Sequence, residues 1–275
     1  MNDMQVSKKF IDSILSSLEA TVIKSSSAIM EVYASNELNK QDKKDGSPVT
    51  KADLAANNII LSDLKKLTPD IPIISEETFS NENIDHGYSL FWIVDPLDGT
   101  REFINKSNEF TVNIALIENK IPIFGIVGAP ALGKLWYGSI FDTQPINSFD
   151  EDAPIRVVMS KSHKTEMDEL FLDHLRDKNF NFELVERGSS LKICSLADDQ
   201  ADFYPRFGPT SEWDIAAADA FLRSRGGEIL KACNFTSLEY GKPDSILNPF
   251  FFCFRNELVK QKIMPILGEF NKKLL

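Results

Sequence analysis

The residues best suited to chemistry in this chain are carboxylates at the ends of apolar runs. Trp92-Ile93-Val94 leads into Asp95-Pro96-Leu97-Asp98-Gly99-Thr100, so a β-branched strand ends in two acids three residues apart and then in Gly-Thr. Ile73-Ile74-Ser75-Glu76-Glu77 repeats that form upstream, and Glu212-Trp213-Asp214 opens an alanine-rich run downstream. Mg²⁺ takes oxygen ligands in near-octahedral geometry and keeps positions for water and substrate phosphate, so a few acids converging from separate segments suffice to hold it. Glu76, Asp95, Asp98 and Asp214 together could hold two or three ions, since acids at that density repel one another and metal binding resolves the repulsion. Two ions beside a phosphate ester activate a water and stabilise the leaving oxygen, which amounts to hydrolysis. Gly99-Thr100 would open the next helix, whose N–H groups could receive a phosphate while the Thr100 hydroxyl orients a water. Taken singly, Asp95 before Pro96 reads as a turn, Glu77 as a solvated acid and Asp214 as a first-turn helix acid. The ordered set carries the signal.

The elements that must position these residues follow from periodicity. Apolar positions Phe10, Ile14, Leu15, Leu18, Val22 and Ile23 predict a helix over Phe10 to Met30. Thr50 can cap a second helix with Asp53 at its third position, and Leu54 to Leu67 continue it. On local grounds Asp53 is as well explained by capping as by catalysis. Strands are predicted at 71–75, 90–94, 110–118 and 121–127, the last two joined by an Asn119-Lys120 turn. The polar, acidic stretch 148–154 marks a boundary between lobes. Beyond it come a strand at 156–160, a helix at 165–178, a strand near 182–185, a helix at 189–196, a strand at 201–204 and a helix at 214–225 closed by Gly226-Gly227. The division is therefore 1–150, an α+β lobe with most of the acids; 151–254, an α/β lobe with Asp214; and 255–275, a tail whose amphipathic pattern is interrupted by Pro265.

At 275 residues the chain can bury a large core, and its 43% hydrophobic and 26% charged residues suit an ordinary globular protein. Its net charge of −11 argues against nonspecific nucleic-acid binding, so an anionic substrate needs metal ions and local cations. Three cysteines without paired spacing point to core residues in a reducing compartment, not to a disulfide framework or a zinc site. Asp12 and Ser13 break the apolar stretch after Lys8 and Lys9, and the run 121–132 is shorter than the roughly 20 residues of a membrane span, so neither export nor an integral segment is expected. The expectation is a cytoplasmic protein, with loose membrane association left open.

Ser75-Glu76-Glu77, Asp95 to Thr100, and Trp213-Asp214-Ile215-Ala216-Ala217-Ala218 together resemble the inositol monophosphatase superfamily of Mg²⁺-dependent, lithium-sensitive phosphomonoesterases. Within it, the 47–53 segment, Arg101-Glu102-Phe103-Ile104, the 109–116 strand, Gly188-Ser189-Ser190-Leu191-Lys192 and the 204–210 segment are similar to the CysQ-type 3′(2′),5′-bisphosphate nucleotidases. The resemblance implies an α+β fold, an α-β-α-β-α layered sandwich of two lobes with the active site between them. It implies Glu76, Asp95 and the Leu97 carbonyl on one Mg²⁺, Asp95, Asp98 and Asp214 on a second, and Glu76 at a weaker third. It implies Asp53 with Thr100 as activators of the attacking water. Ser189, Lys192 and Arg206, with His163, Gly99, Thr100 and Asp214, would contact substrate, the cations suiting the phosphate that is not cleaved. The implied reaction removes the 3′-phosphate of adenosine 3′,5′-bisphosphate, giving AMP and phosphate, with the sulfate-bearing analogue a second substrate, in a monomer or homodimer. Inositol monophosphate or fructose 1,6-bisphosphate as substrate, and a noncatalytic metal- and nucleotide-binding protein, are the rival readings.

Overall fold

A computed structural model of the chain describes residues 6–35, 41–42, 48–80, 87–146, 148–160 and 164–274. Ser7 caps α1 (Lys8–Ala34), which buries Ile11, Ile14, Leu18, Val22 and Ile29 along one stripe. A two-residue ribbon of β1 (Gln41–Asp42) and β2 (Pro48–Val49) precedes α2 (Lys51–Leu67), which packs on α1. The first sheet runs in chain order, β3 (Ile73–Ser75), β4 (Leu90–Asp98), β5 (Thr111–Glu118), β6 (Ile121–Ala129) and β7 (Lys134–Ser139), with only the β3–β4 pair parallel. A 3-10 turn, Glu76–Thr78, follows β3, and the short helix α3 (Thr100–Ile104) follows β4. The expected Asn119-Lys120 turn has both residues at positive φ, 49° and 68°, the twist that a tight hairpin requires.

The rest of the chain alternates: β8 (Ile155–Ser160), α4 (Glu166–Asp177), β9 (Phe182–Arg187), α5 (Leu191–Ala197), β10 (Phe203–Arg206), α6 (Glu212–Ser224), β11 (Glu228–Lys231), β12 (Phe251–Phe254) and α7 (Glu257–Leu274). The second sheet has the order β11-β12-β10-β8-β9. One buried cluster joins Phe91, Ile93 and Val127 of the first sheet to Ala217 and Phe221 of α6 and to Phe251 and Cys253 of the second sheet. The helices α5 and α6 therefore form a middle layer, with α1 and α2 outside one sheet and α4 and α7 outside the other. This is the α-β-α-β-α sandwich.

Two glycines set how closely α6 lies on the first sheet. A Cβ on Gly125 would stand 2.2 Å from the Ala217 carbonyl oxygen, and one on Gly138 would stand 2.7 Å from the Phe221 Cα. Backbone meets backbone there, which only a bare Cα permits. The tail departs from the expected pattern. Pro265 does not interrupt it: α7 runs through that residue as one helix, because Val259, Ile263, Leu267 and Phe270 are buried on a single face and hold the turn that has lost a hydrogen-bond donor.

Candidate active site

A regular strand points residues i and i+3 to opposite faces, yet Asp95 and Asp98 serve one cluster. The register explains this. Asp95 pairs with Asn113 and Asp98 with Thr111, so β4 carries one residue more than β5 across the interval and bulges there. Pro96 fits the bulge, having no N–H to lose from the ladder. Asp214 arrives from the first turn of α6, and one oxygen from each of Asp95, Asp98 and Asp214 lies within 4.8 Å of the others.

Each acid has an oxygen tied to backbone. Asp95 Oδ1 accepts from Leu97 N (3.0 Å), Asp98 Oδ2 from Ser190 N (2.6 Å) and Asp214 Oδ2 from Ser211 N (2.8 Å). Asp53, buried in the first turn of α2, follows the same rule: Oδ2 accepts from Thr50 N (2.8 Å) and Thr50 Oγ1 (2.6 Å). Its Oδ1 is 3.2 Å from Thr100 Oγ1, which is also 3.3 Å from the Leu97 carbonyl oxygen. Capping and approach to Thr100 are thus carried by different oxygens of one carboxylate.

Electrostatically the cluster is set for a cation. Burial, then the charges of Glu76, Asp98 and Asp214, raise Asp95 well above the ordinary carboxylate range, and a hydrogen bond with Glu76 adds to this. Asp214 rises through burial and Asp98. Asp98 is pushed up to about 6 by burial, against the pull of Lys192 and of the Ser190 N–H. Three hard oxygen donors that resist simultaneous ionisation suit a divalent metal, which supplies the missing positive charge.

Beside the cluster opens a cavity of about 750 Å³, lined among others by Glu76, Asp98, Thr100, Ser189, Lys192, Arg206 and Asp214. Lys192 is buried under it, with Nζ 5.8 Å from the Tyr204 ring centre, and burial lowers its pKa to about 8. Arg206 Nη2 donates to the Pro209 carbonyl (2.9 Å), while Arg206 Nε and Ser189 Oγ are buried without a hydrogen-bond partner among the described residues. Two orphan donors in an acid-and-cation cavity fit a phosphate-bearing ligand.

The chain matches the inositol monophosphatase family profile over residues 11–247. It is 42% identical over 233 residues to the 3′(2′),5′-bisphosphate nucleotidase CysQ of Salmonella typhimurium, which spans 82% of this chain and 92% of that one. CysQ of Escherichia coli K12 is 40% identical over the same shares. The crystal structure of CysQ from Bacteroides thetaiotaomicron, described as a bacterial member of the family, superposes with a TM-score of 0.76 at 33% identity, covering 89% of this chain and 98% of that one. The chain belongs to the inositol monophosphatase family.

Within this family fold, the bulged end of β4 and the opening of α6 bring Asp95, Asp98 and Asp214 together, with Glu76 against Asp95. Thr100 meets Asp53, and Gly99 takes the left-handed φ of 88° needed to begin α3. Ser189, Lys192 and Arg206 line the same cavity. His163 lies outside the described residues. A polar knot, to which the sequence assigns no role, ties the start of α5 to the first sheet. Ser190 Oγ lies 2.8 Å from Thr111 Oγ1 and donates to Asn113 Oδ1 (2.9 Å), while the Ser190 N–H holds Asp98. The signal for it is cross-strand: Asn113 faces Asp95 and Thr111 faces Asp98 in the β4–β5 register, which local patterning does not reveal.

Proposed function

We propose that this chain is a Mg²⁺-dependent phosphomonoesterase that removes the 3′-phosphate of adenosine 3′,5′-bisphosphate, giving AMP and phosphate. The observation that carries the reading is one cavity holding both a carboxylate trio at one wall and Lys192, Arg206 and Ser189 at another. A single-phosphate sugar needs the first group; a bisphosphate nucleotide uses both. The CysQ relatives named as bisphosphate nucleotidases support the same substrate class.

Asp95, Asp98 and Asp214, with Glu76 and the Leu97 carbonyl beside them, would hold two or three Mg²⁺ ions. When bound, such ions neutralise phosphoryl charge and lower the pKa of water. Thr100 Oγ1, within reach of Asp53 Oδ1 at 3.2 Å, orients the attacking water and relays its proton to that carboxylate. Arg206 and Lys192 bind the phosphate that stays, and Ser189 Oγ donates to the same ligand. The family's water-activating pair and the nucleotide subsite are thus served by residues of different layers.

No described helix is long and apolar enough to cross a membrane. All three cysteines are free thiols, two of them buried, and this supports the cytoplasmic location that we assign to the activity.

The test is phosphate release with Mg²⁺ from adenosine 3′,5′-bisphosphate, inositol 1-phosphate and fructose 1,6-bisphosphate, for the wild type and Arg206→Ala. The wild type should prefer the nucleotide. Arg206→Ala should lose roughly 10- to 100-fold in kcat/KM for it, the worth of a charge-assisted hydrogen bond, and far less for inositol 1-phosphate. Equal losses on both would refute the nucleotide reading and leave a sugar phosphatase.

A further inference from the structure

The helix α7 lies wholly beyond residues 11–247, the span of the family match, yet it reaches the element that carries Arg206. Arg206 ends β10, and the next residue, Phe207, is buried in a nest of rings. Its ring centre stands 5.6 Å from Phe171 of α4, 5.8 Å from Phe252 of β12, 6.0 Å from Phe250 and 5.6 Å from Phe270 of α7. Phe270 also meets Phe171 edge-on at 5.1 Å. Arg206 pairs with Phe251 of β12 in the sheet, while its side chain is more lightly held: one hydrogen bond to the Pro209 carbonyl, and a guanidinium that lies 3.4 Å from where a Cβ on Gly208 would stand. The Phe207 ring is therefore the apolar anchor on the side of Arg206 where the strand ends, and Phe270 supplies one wall of that anchor.

The helix is fastened independently of this contact. Lys260 Nζ reaches Glu228 Oε1 (2.6 Å), His174 Nε2 lies 3.3 Å from the Ile266 carbonyl oxygen, and Lys178 pairs with Glu269. Asn271 Nδ2 donates to the Ala232 carbonyl. Val259, Ile263 and Leu267 are buried along the same face. Loss of the Phe270 ring then leaves α7 docked and opens space beside Phe207, into which that ring can settle.

We propose that α7 sets the position of Arg206 through the Phe270–Phe207 contact, which makes Phe270 a positioning residue for the phosphate that is not cleaved. The proposal rests on the reading of Arg206 given above. It assigns the C-terminal helix to substrate choice as well as to covering the second sheet.

The experiment is steady-state kinetics of the full-length wild type, Phe270→Ala, Phe270→Leu and Arg206→Ala on adenosine 3′,5′-bisphosphate and adenosine 3′-monophosphate, well below each melting temperature. A misplaced binding group costs up to about 100-fold for a displacement of an ångström, so Phe270→Ala should raise the bisphosphate KM roughly tenfold, with kcat within about twofold and the monophosphate KM unchanged. Phe270→Leu refills part of the space and should give an intermediate rise of about threefold. If Arg206→Ala separates the two substrates and the Phe270 variants do not, the positioning role is overturned while the reading of Arg206 stands. If Arg206→Ala fails to separate them, that reading falls and takes this proposal with it. Should the alanine variant not fold, the leucine variant decides, and a bisphosphate KM equal to wild type refutes the proposal.

Discussion

Asp98→Asn divides the two effects that the acid cluster imposes on this protein. In the metal-free state the Asp98 carboxyl is pushed from its ordinary 3.8 to about 6. At neutral pH, therefore, keeping it ionised costs the folded state about 3 kcal/mol, or nearer 1–2 kcal/mol once its partial solvent access is allowed for. Asparagine removes the charge and keeps an oxygen that can accept from Ser190 N, the 2.6 Å bond that fixes the aspartate. The metal-free variant should then be more stable than wild type, and 1–2 kcal/mol corresponds to about 2–8 °C in melting temperature for a chain of this size. Addition of Mg²⁺ should reverse the order, because wild type gains binding free energy that the variant has lost. Turnover at saturating Mg²⁺ should fall at least about 100-fold, beyond what loss of an outer-sphere partner of a metal costs. Scanning fluorimetry in EDTA and in Mg²⁺, beside phosphate release, reads all three. A metal-free variant that melts at or below wild type, or one that keeps most of its turnover, would refute the reasoning.

Asp95, Asp98 and Asp214 all have raised pKa values in the metal-free fold. The folded state thus holds protons that the unfolded chain has released, and this contribution to stability is full below 3.8 and is lost as pH rises through about 6. In EDTA the melting temperature should fall between those limits, and the gain on adding Mg²⁺ should widen. A rise over that interval would contradict the assignment. Thr100→Val removes the hydroxyl that lies 3.2 Å from Asp53 at constant shape, so kcat should drop about 100-fold with little change in melting temperature, and Thr100→Ser should restore most of it. Wild-type turnover in the valine variant would exclude a proton relay through this residue.

The carboxylates were readable in the sequence because each sits where a regular element ends, next to residues with a local reason to be there. Thr50 with Asp53 is a capping box by spacing, and α2 begins there. The strand expected at 90–94 continues to Asp98, since the bulge lets it carry Pro96 without breaking the pairing. What sequence could not show is non-local. The strands β7, β11 and β12 are short or irregular in pattern and owe their existence to neighbours, β12 being held between β10 and β11 over its full length. The Ser190 knot depends on the register between β4 and β5 and on the approach of α5 to it. Pro265 departs from its local expectation for a related reason: burial of the α7 face against the second sheet outweighs the local penalty.

The place of β12 in the second sheet bears on how this protein is made. A chain leaving the ribosome presents Asp95 and Asp98 early and Asp214 much later. The α6 helix that carries Asp214 is enclosed only when Phe251–Phe254 slots between β10 and β11. A nascent chain that stalls before residue 250 therefore carries all of the cluster's acids while it lacks the strand that packs over α6. Closure of the layer that carries the acids thus depends on a strand that the chain supplies after every one of them.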